Sequence, residues 1–427
     1  MKAKLSSGIV HSNSTNRRSV FASCFGLGLI GLLAAAPAYA ASEEVARPEY
    51  AVLIVSFLFL MGVSQVGVVF SAVTRLSGAD WAKPYYRVAE LSTMAFAPFA
   101  IVGFLLIYVF GRDGLFYWLS PAPDEHLSAW LSSGWLLFRN LLGLSLFYGL
   151  SGVYVWKSLR PDLEQADNLD PREVQSQLYF LSLWVLVAFV LCNTFLAWDF
   201  AMMLIPHWHS SVFPIHYWFG NVYAGTAALL AIPAVLGRFS ATESLFGTFE
   251  IRSLSKVLSG FMLFWLYFMW AQFFVMWFGN LPRETDALFR QMYGHYAPFY
   301  WTMIAGCFFI PFVCLIFTSI NRSLLALSVL AIGINLAIWI NKYLMVIPVY
   351  STDERLLDYT GELGLSFLLL VSFLAVVVVL SRTLPTYAYW EINLQSTPAP
   401  EDPAPEDSAQ EDPALVDGVL GHSSNHA

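Results

Sequence analysis

Charge is what this chain has least of. Over 427 residues only 12% are Asp, Glu, Lys or Arg, against about a quarter in an ordinary soluble domain. By contrast 57% are hydrophobic and the mean hydropathy is +0.60, which excludes a solvated globule. Cysteine is also scarce: Cys24, Cys192, Cys307 and Cys314 lie inside apolar runs with no CxxC or CxxCH spacing, so neither Fe–S ligation nor covalent haem is expected of this chain. A Gly-rich phosphate loop, a dinucleotide fingerprint and an HExxH metal motif are missing as well, and with them any soluble catalytic domain. Nothing suggests a nucleic-acid partner.

What the chain has instead is long apolar runs. A helix that crosses a bilayer needs about 20 such residues, and nine stretches qualify, near 51–73, 92–111, 134–156, 178–199, 216–237, 257–279, 297–318, 323–345 and 363–382. A tenth, near 19–40, follows Lys2, Lys4, Arg17 and Arg18 and ends Ala38-Tyr39-Ala40. It reads either as a cleaved signal peptide or as a retained helix. With the N-terminus inside, fifteen Lys and Arg fall in inner loops against six in outer ones, as the positive-inside rule requires. The expected fold is an all-α integral membrane protein of about ten transmembrane helices, two four-helix bundles plus flanking helices. Residues 1–45 form a basic segment and the first run, 46–390 the membrane core, and 391–427 an acidic, Pro-rich tail expected to be disordered.

The stretch WDFAMMLIPHWHSSVFPIHYWFGN, Trp198 to Asn221, joins two apolar runs on the outer side. It carries Asp199, His207, His209 and His216 and no Lys or Arg. Histidine titrates near neutral pH and accepts protons, so the stretch sets proton-exchanging groups beside the membrane. Interfacial histidines bonded among Trp208, Tyr217 and Trp218 are the plainer alternative. Haem between helices is not expected, since His207 and His209 lie in a loop bounded by Pro206 and Pro214 and no histidine is at mid-span.

Arg139 sits in an apolar run, where a cation costs about 2.5–3.5 kcal/mol at the helix centre and therefore seeks a partner. Asp199 lies at a similar depth on the antiparallel neighbour, and an Arg139–Asp199 pair is either structural or part of a proton site. Gln272, Glu284 and Lys342 complete the outer polar set, with Lys342 alternatively snorkelling to the interface. At the inner side Arg87 and Glu90 read as basic anchoring or as a point of proton uptake. The intramembrane polar groups favour the outer half.

Phe138-Arg139, Ala197-Trp198-Asp199-Phe200, PHWHSSVF from Pro206 to Phe213, Trp265, Tyr267, Gln272-Phe273, NLPRET from Asn280 to Thr285, and Gly78 to Trp81 with Pro84, Arg87 and Glu90 together resemble the quinol-interacting membrane subunits of alternative complex III. That assembly is a quinol:cytochrome c oxidoreductase whose membrane subunits belong to the NrfD/PsrC, or polysulfide reductase, family; the similarity is closest to the quinone-binding subunit 2 type and runs from about Ser71 to Tyr350. The resemblance implies a ten-helix subunit in a bacterial inner membrane that retains the 19–40 run. It further implies partners carrying Fe–S clusters and multihaem cytochrome c, a second NrfD-like subunit, and quinol or quinone as the redox agent. Arg139, Asp199 and His207 are the residues it points to for catalysis, with Glu284 and Lys342 near the quinone; His209 and Gln272 join them from the outer-face chemistry. His209, His216, Asn341-Lys342 and the acidic tail depart from the family pattern.

Three functions follow: a subunit that helps oxidise quinol at the outer face and releases or moves its protons, a proton-conducting or structural anchor without its own quinone site, and a stand-alone transporter. The last predicts inverted repeats and midplane charges, which the sequence does not display.

Overall fold

The computed structural model describes residues 51–119, 129–164, 170–205, 208–237, 247–280, 282–350, 360–385 and 387–391. Every expected core span is a helix: α1 (Ala51–Leu76), α2 (Lys83–Leu106), α3 (Ser133–Glu164), α4 (Pro171–Phe200), α5 (Phe213–Gly237), α6 (Thr248–Gly279), the short α7 (Pro282–Met292), α8 (Gly294–Ile316), α9 (Leu324–Tyr350) and α10 (Thr360–Thr383). Eight are long and apolar enough to cross a membrane by length and composition alone, and α5, at 25 residues, is of the same kind. The 19–40 run and the acidic tail lie outside the described residues.

The helix boundaries follow from local chemistry. Asp170 accepts the Arg172 backbone N–H at 2.9 Å and Pro171 opens α4, satisfying one of the orphan donors of a first turn. Pro84 likewise opens α2. At the other end of α6, Asn280 takes the left-handed conformation, φ 45°, one of the few L-residues that does so at low cost, and the chain turns sharply into α7. Two spans are not regular: α2 continues through a π turn at Ile107–Gly111, and α8 contains one at Ala305–Phe309.

Packing gives two rings of four. In the first, α1 touches α2 and α4, and α3 closes the ring against both of those; in the second, α5 joins α6 and α9, and α8 completes the circuit. The rings meet through α1, α4, α5 and α9, and α10 lies outside, on α1 and α2. Helix α1 is therefore surrounded, with nearly all its residues buried, whereas α6 leaves most of its surface outward. Close approach needs small residues: a Cβ on Gly67 would stand 2.0 Å from the carbonyl oxygen of Ala89 on α2.

The buried start of α1 is satisfied from a distance. Val52 and Leu53 donate their backbone N–H groups to Glu362 Oε2 on α10, at 3.0 and 3.2 Å, and the carboxylate also meets the positive end of the α1 dipole. One turn further in, Trp339 Nε1 on α9 donates to Ser56 Oγ at 2.9 Å.

Candidate functional site

Arg139, two turns into α3, and Asp199, in the last turn of α4, meet because antiparallel neighbours bring those ends together. Arg139 Nε donates to Asp199 Oδ2 at 2.8 Å and a terminal guanidinium nitrogen donates to Oδ1, while Asn140 adds a further bond to Oδ2. The remaining guanidinium arm donates to the Trp130 carbonyl at 2.7 Å, and the Trp130 ring lies 4.7 Å from the guanidinium carbon. Asp199 is wholly buried. Both of its oxygens are engaged by charge-assisted or amide donors, so it is built as an ionised anchor locking α3 to α4.

Of the other outer-set residues, His216, Gln272 and Lys342 lie in the second ring. At the same end of the molecule His216, in the first turn of α5, lines a cavity of about 50 Å³ with Gln272, Asn341, Tyr300 and Trp208. His216 is buried against Trp265, ring centroids 5.7 Å apart, and its Nδ1 has no hydrogen-bond partner among the described residues. A buried polar atom left so is costly, and the residue that carries it also lines the cavity. Lys342, on α9 beside Asn341, is buried too: Nζ donates to the Tyr217 carbonyl at 3.3 Å and stands 2.9 Å from the centre of the Tyr217 ring. No carboxylate among the described residues pairs with it. It does not snorkel.

The outer polar set is thus divided. Arg139 and Asp199 form a saturated pair in the first ring, Gln272 lines the cavity of the second, and Lys342 flanks it through Tyr217. His209 is exposed. His207 lies outside the described residues, and Glu284 stands on α7 with its side chain outside them. Among the described residues no three of His, Cys, Asp and Glu gather as metal ligands.

Two polar assemblies were not expected from the sequence. Across the ring interface an amide bridge joins α1, α4 and α5: Asn221 donates to Asn193 Oδ1 at 2.7 Å and Asn193 to Gln65 Oε1 at 2.8 Å. Gly62 makes room for it, since a Cβ there would meet the Asn221 amide at 2.5 Å. At the opposite end of the molecule Arg75, Arg87, Glu90, Asp162 and Glu391 form one buried charge cluster. The half read as poor in polar groups therefore carries the densest charge in the core. Single amides within apolar runs were the available signal for the bridge; Asp162 and Glu391 read as loop and tail charges, and only the folded chain returns them to the core.

Residues 42–353, well over half of the chain, match the family described as polysulphide reductase, NrfD. A search of curated proteins found no match.

Proposed function

Since the chain belongs to the NrfD family, whose members are membrane subunits of respiratory oxidoreductases that work with Fe–S and cytochrome subunits, we propose that it serves in a quinol-oxidising complex of the quinol:cytochrome c oxidoreductase type. In that reading it lies in a bacterial inner membrane, beside Fe–S and multihaem cytochrome c proteins and a second NrfD-like subunit. Its own task is to meet the quinol head at the His216 cavity and take up its protons, while the electrons leave through the partners.

The observation that carries this reading is the unpartnered Nδ1 of buried His216 on a cavity that also presents Gln272 and Asn341. Quinol oxidation needs a base within hydrogen-bond reach of a hydroxyl and polar groups to orient the ring among apolar walls. A neutral imidazole supplies the first, and the two amides the second. Lys342 adds, behind Tyr217, an amine that no carboxylate among the described residues pairs with and to which a proton can pass. At about 50 Å³ the cavity holds water and not a quinol ring, because ligand pockets run to about 300 Å³ or more. Ring access therefore requires α7 or the 208–213 stretch to part from α6.

A second reading, a proton-conducting subunit without its own quinone site, draws on that small volume and on the buried polar groups that continue through the first ring. Photolabelling the purified complex with an azido-quinone separates the two. Label on α5, α6 or α9 near His216, lost in His216→Leu along with quinol oxidation, supports the quinol site. Label confined to another subunit while His216→Leu impairs only proton movement supports the second reading and rejects the first.

A further inference from the structure

At the end of the molecule away from Asp199, five charged side chains are enclosed together. Arg75 Nη1 is 2.7 Å from Glu90 Oε1 and its Nη2 2.7 Å from Glu391 Oε1; Arg87 is 3.1 Å from Glu90 Oε2 and also binds Asp162. None of the five side chains is more than 8% exposed. They come from α1, α2, α3 and the segment after α10, so the cluster exists only in the assembled core.

Two arginines face three carboxylates. Among the described residues, the neighbours on each packed element do not make up the difference. From α3 come neutral groups: the Tyr154 hydroxyl accepts from Arg75, and Ser158 gives its one proton to Glu90. On α2, Tyr86 lies under the Arg75 guanidinium at 4.3 Å, and Lys83 is already paired with Asp80 at 2.9 Å, reaching the cluster only through the Glu391 carbonyl at 3.4 Å. From the last segment Trp390 donates its backbone N–H to Asp162 at 3.2 Å and its indole N–H to the Ser158 carbonyl at 3.1 Å. A lone negative charge enclosed in this way is strongly disfavoured unless something neutralises it.

We propose that the cluster is a proton-binding site that holds one exchangeable proton, carried on Asp162. Of the three carboxylates Glu90 has two arginines and a serine hydroxyl, and Glu391 takes Arg75 through both oxygens. Asp162 has one guanidinium arm and a backbone N–H, the least compensation. Binding forms the O–H bond on Asp162 and brings the cluster to neutrality; release returns the proton to the surface at this end and leaves Asp162 and Glu391 repelling one another across Trp390. The site deepens the proton-handling part of the proposed function and supplies its store opposite the His216 cavity. Its test involves no quinone, so it can fail while the quinol reading stands.

The experiment is infrared difference spectroscopy during a pH titration of the full-length chain in the lipid-reconstituted complex. A protonated-carboxyl stretch at neutral pH, about one per chain, is expected, lost on alkalinisation and absent from Asp162→Asn. Glu391→Gln should abolish it as well, because removing any one of the negative charges removes the need for the proton. No such band in the wild-type protein overturns the proposal, and this arm needs no variant to fold. The proposal falls equally if the band persists in Asp162→Asn, or if sodium displaces it at constant pH, which makes the occupant a metal cation.

Discussion

The Arg139–Asp199 pair and the His216 ring face the same side of the membrane and do opposite things. In the first, each guanidinium nitrogen and both carboxylate oxygens are engaged; in the second, Nδ1 is without a partner among the described residues. Removing one member of a buried pair strands the other, at a cost of about 3–5 kcal/mol. Asp199→Ala should therefore lower thermal stability sharply, and the Arg139→Ala/Asp199→Ala double variant should lose much less than the two single losses added. Melting curves of the purified subunit complex check this, and simple additivity would remove the structural role assigned to the pair. Lys342→Met, which keeps the volume and discards the charge, is expected to leave the fold as stable or more stable while slowing proton transfer at the cavity; unchanged turnover and proton release would take Lys342 out of the site. The pair was legible in the sequence because both charges interrupt apolar runs at matching depth. The placing of His216 at a helix start and of His209 in the connection was legible too; the burial of His216 against Trp265 was not, since Trp265 lies on another helix and only packing brings the two rings together.

At the scale of the element, apolar length located all nine core spans, and their order in the chain suggested two rings. What length cannot show is how the ends of spans are satisfied. Glu362 falls just before the expected span 363–382, yet it closes the start of α1 from a helix 310 positions away. Glu362→Ala leaves two buried N–H groups without an acceptor, and about 1–3 kcal/mol of stability should go with it; hydrogen exchange in the first turn of α1 should rise selectively, and uniform exchange across the protein would contradict this. Gly67 is a second such point. Gly67→Val forces α1 and α2 apart where no side chain can yield, since the obstacle is backbone, and should abolish recovery of folded complex from membranes, whereas Gly134→Ala, where a Cβ meets open space, should be tolerated. The π turns in α2 and α8 were invisible for a related reason: a shifted backbone hydrogen bond has no signature in composition.

For the molecule as a whole, the loop charges assign the Asp199 end to the outside and the Glu90 end to the inside. His209→Cys is expected to react with a membrane-impermeant maleimide added outside intact cells, and Arg172→Cys only after permeabilisation; the reverse pattern would invert every statement about which side gives and takes protons. Sequence reasoning recovered the division into rings, but underrated the end that carries Glu90, because Asp162 and Glu391 acquire their burial from contacts 228 positions apart and more.

The Gln65–Asn193–Asn221 bridge has a bearing on how such a protein can move. Carriers that expose a site alternately to either side commonly do so by rocking one repeat against the other about the seam between them. Here the seam is stitched by amides deep in hydrocarbon, where a parted donor finds no water to replace its partner. Rigid-body swinging of one half past the other would break the Asn221–Asn193 bond in every cycle, so the halves are better regarded as a fixed frame, and any working motion belongs to the short α7 and the side chains beneath it.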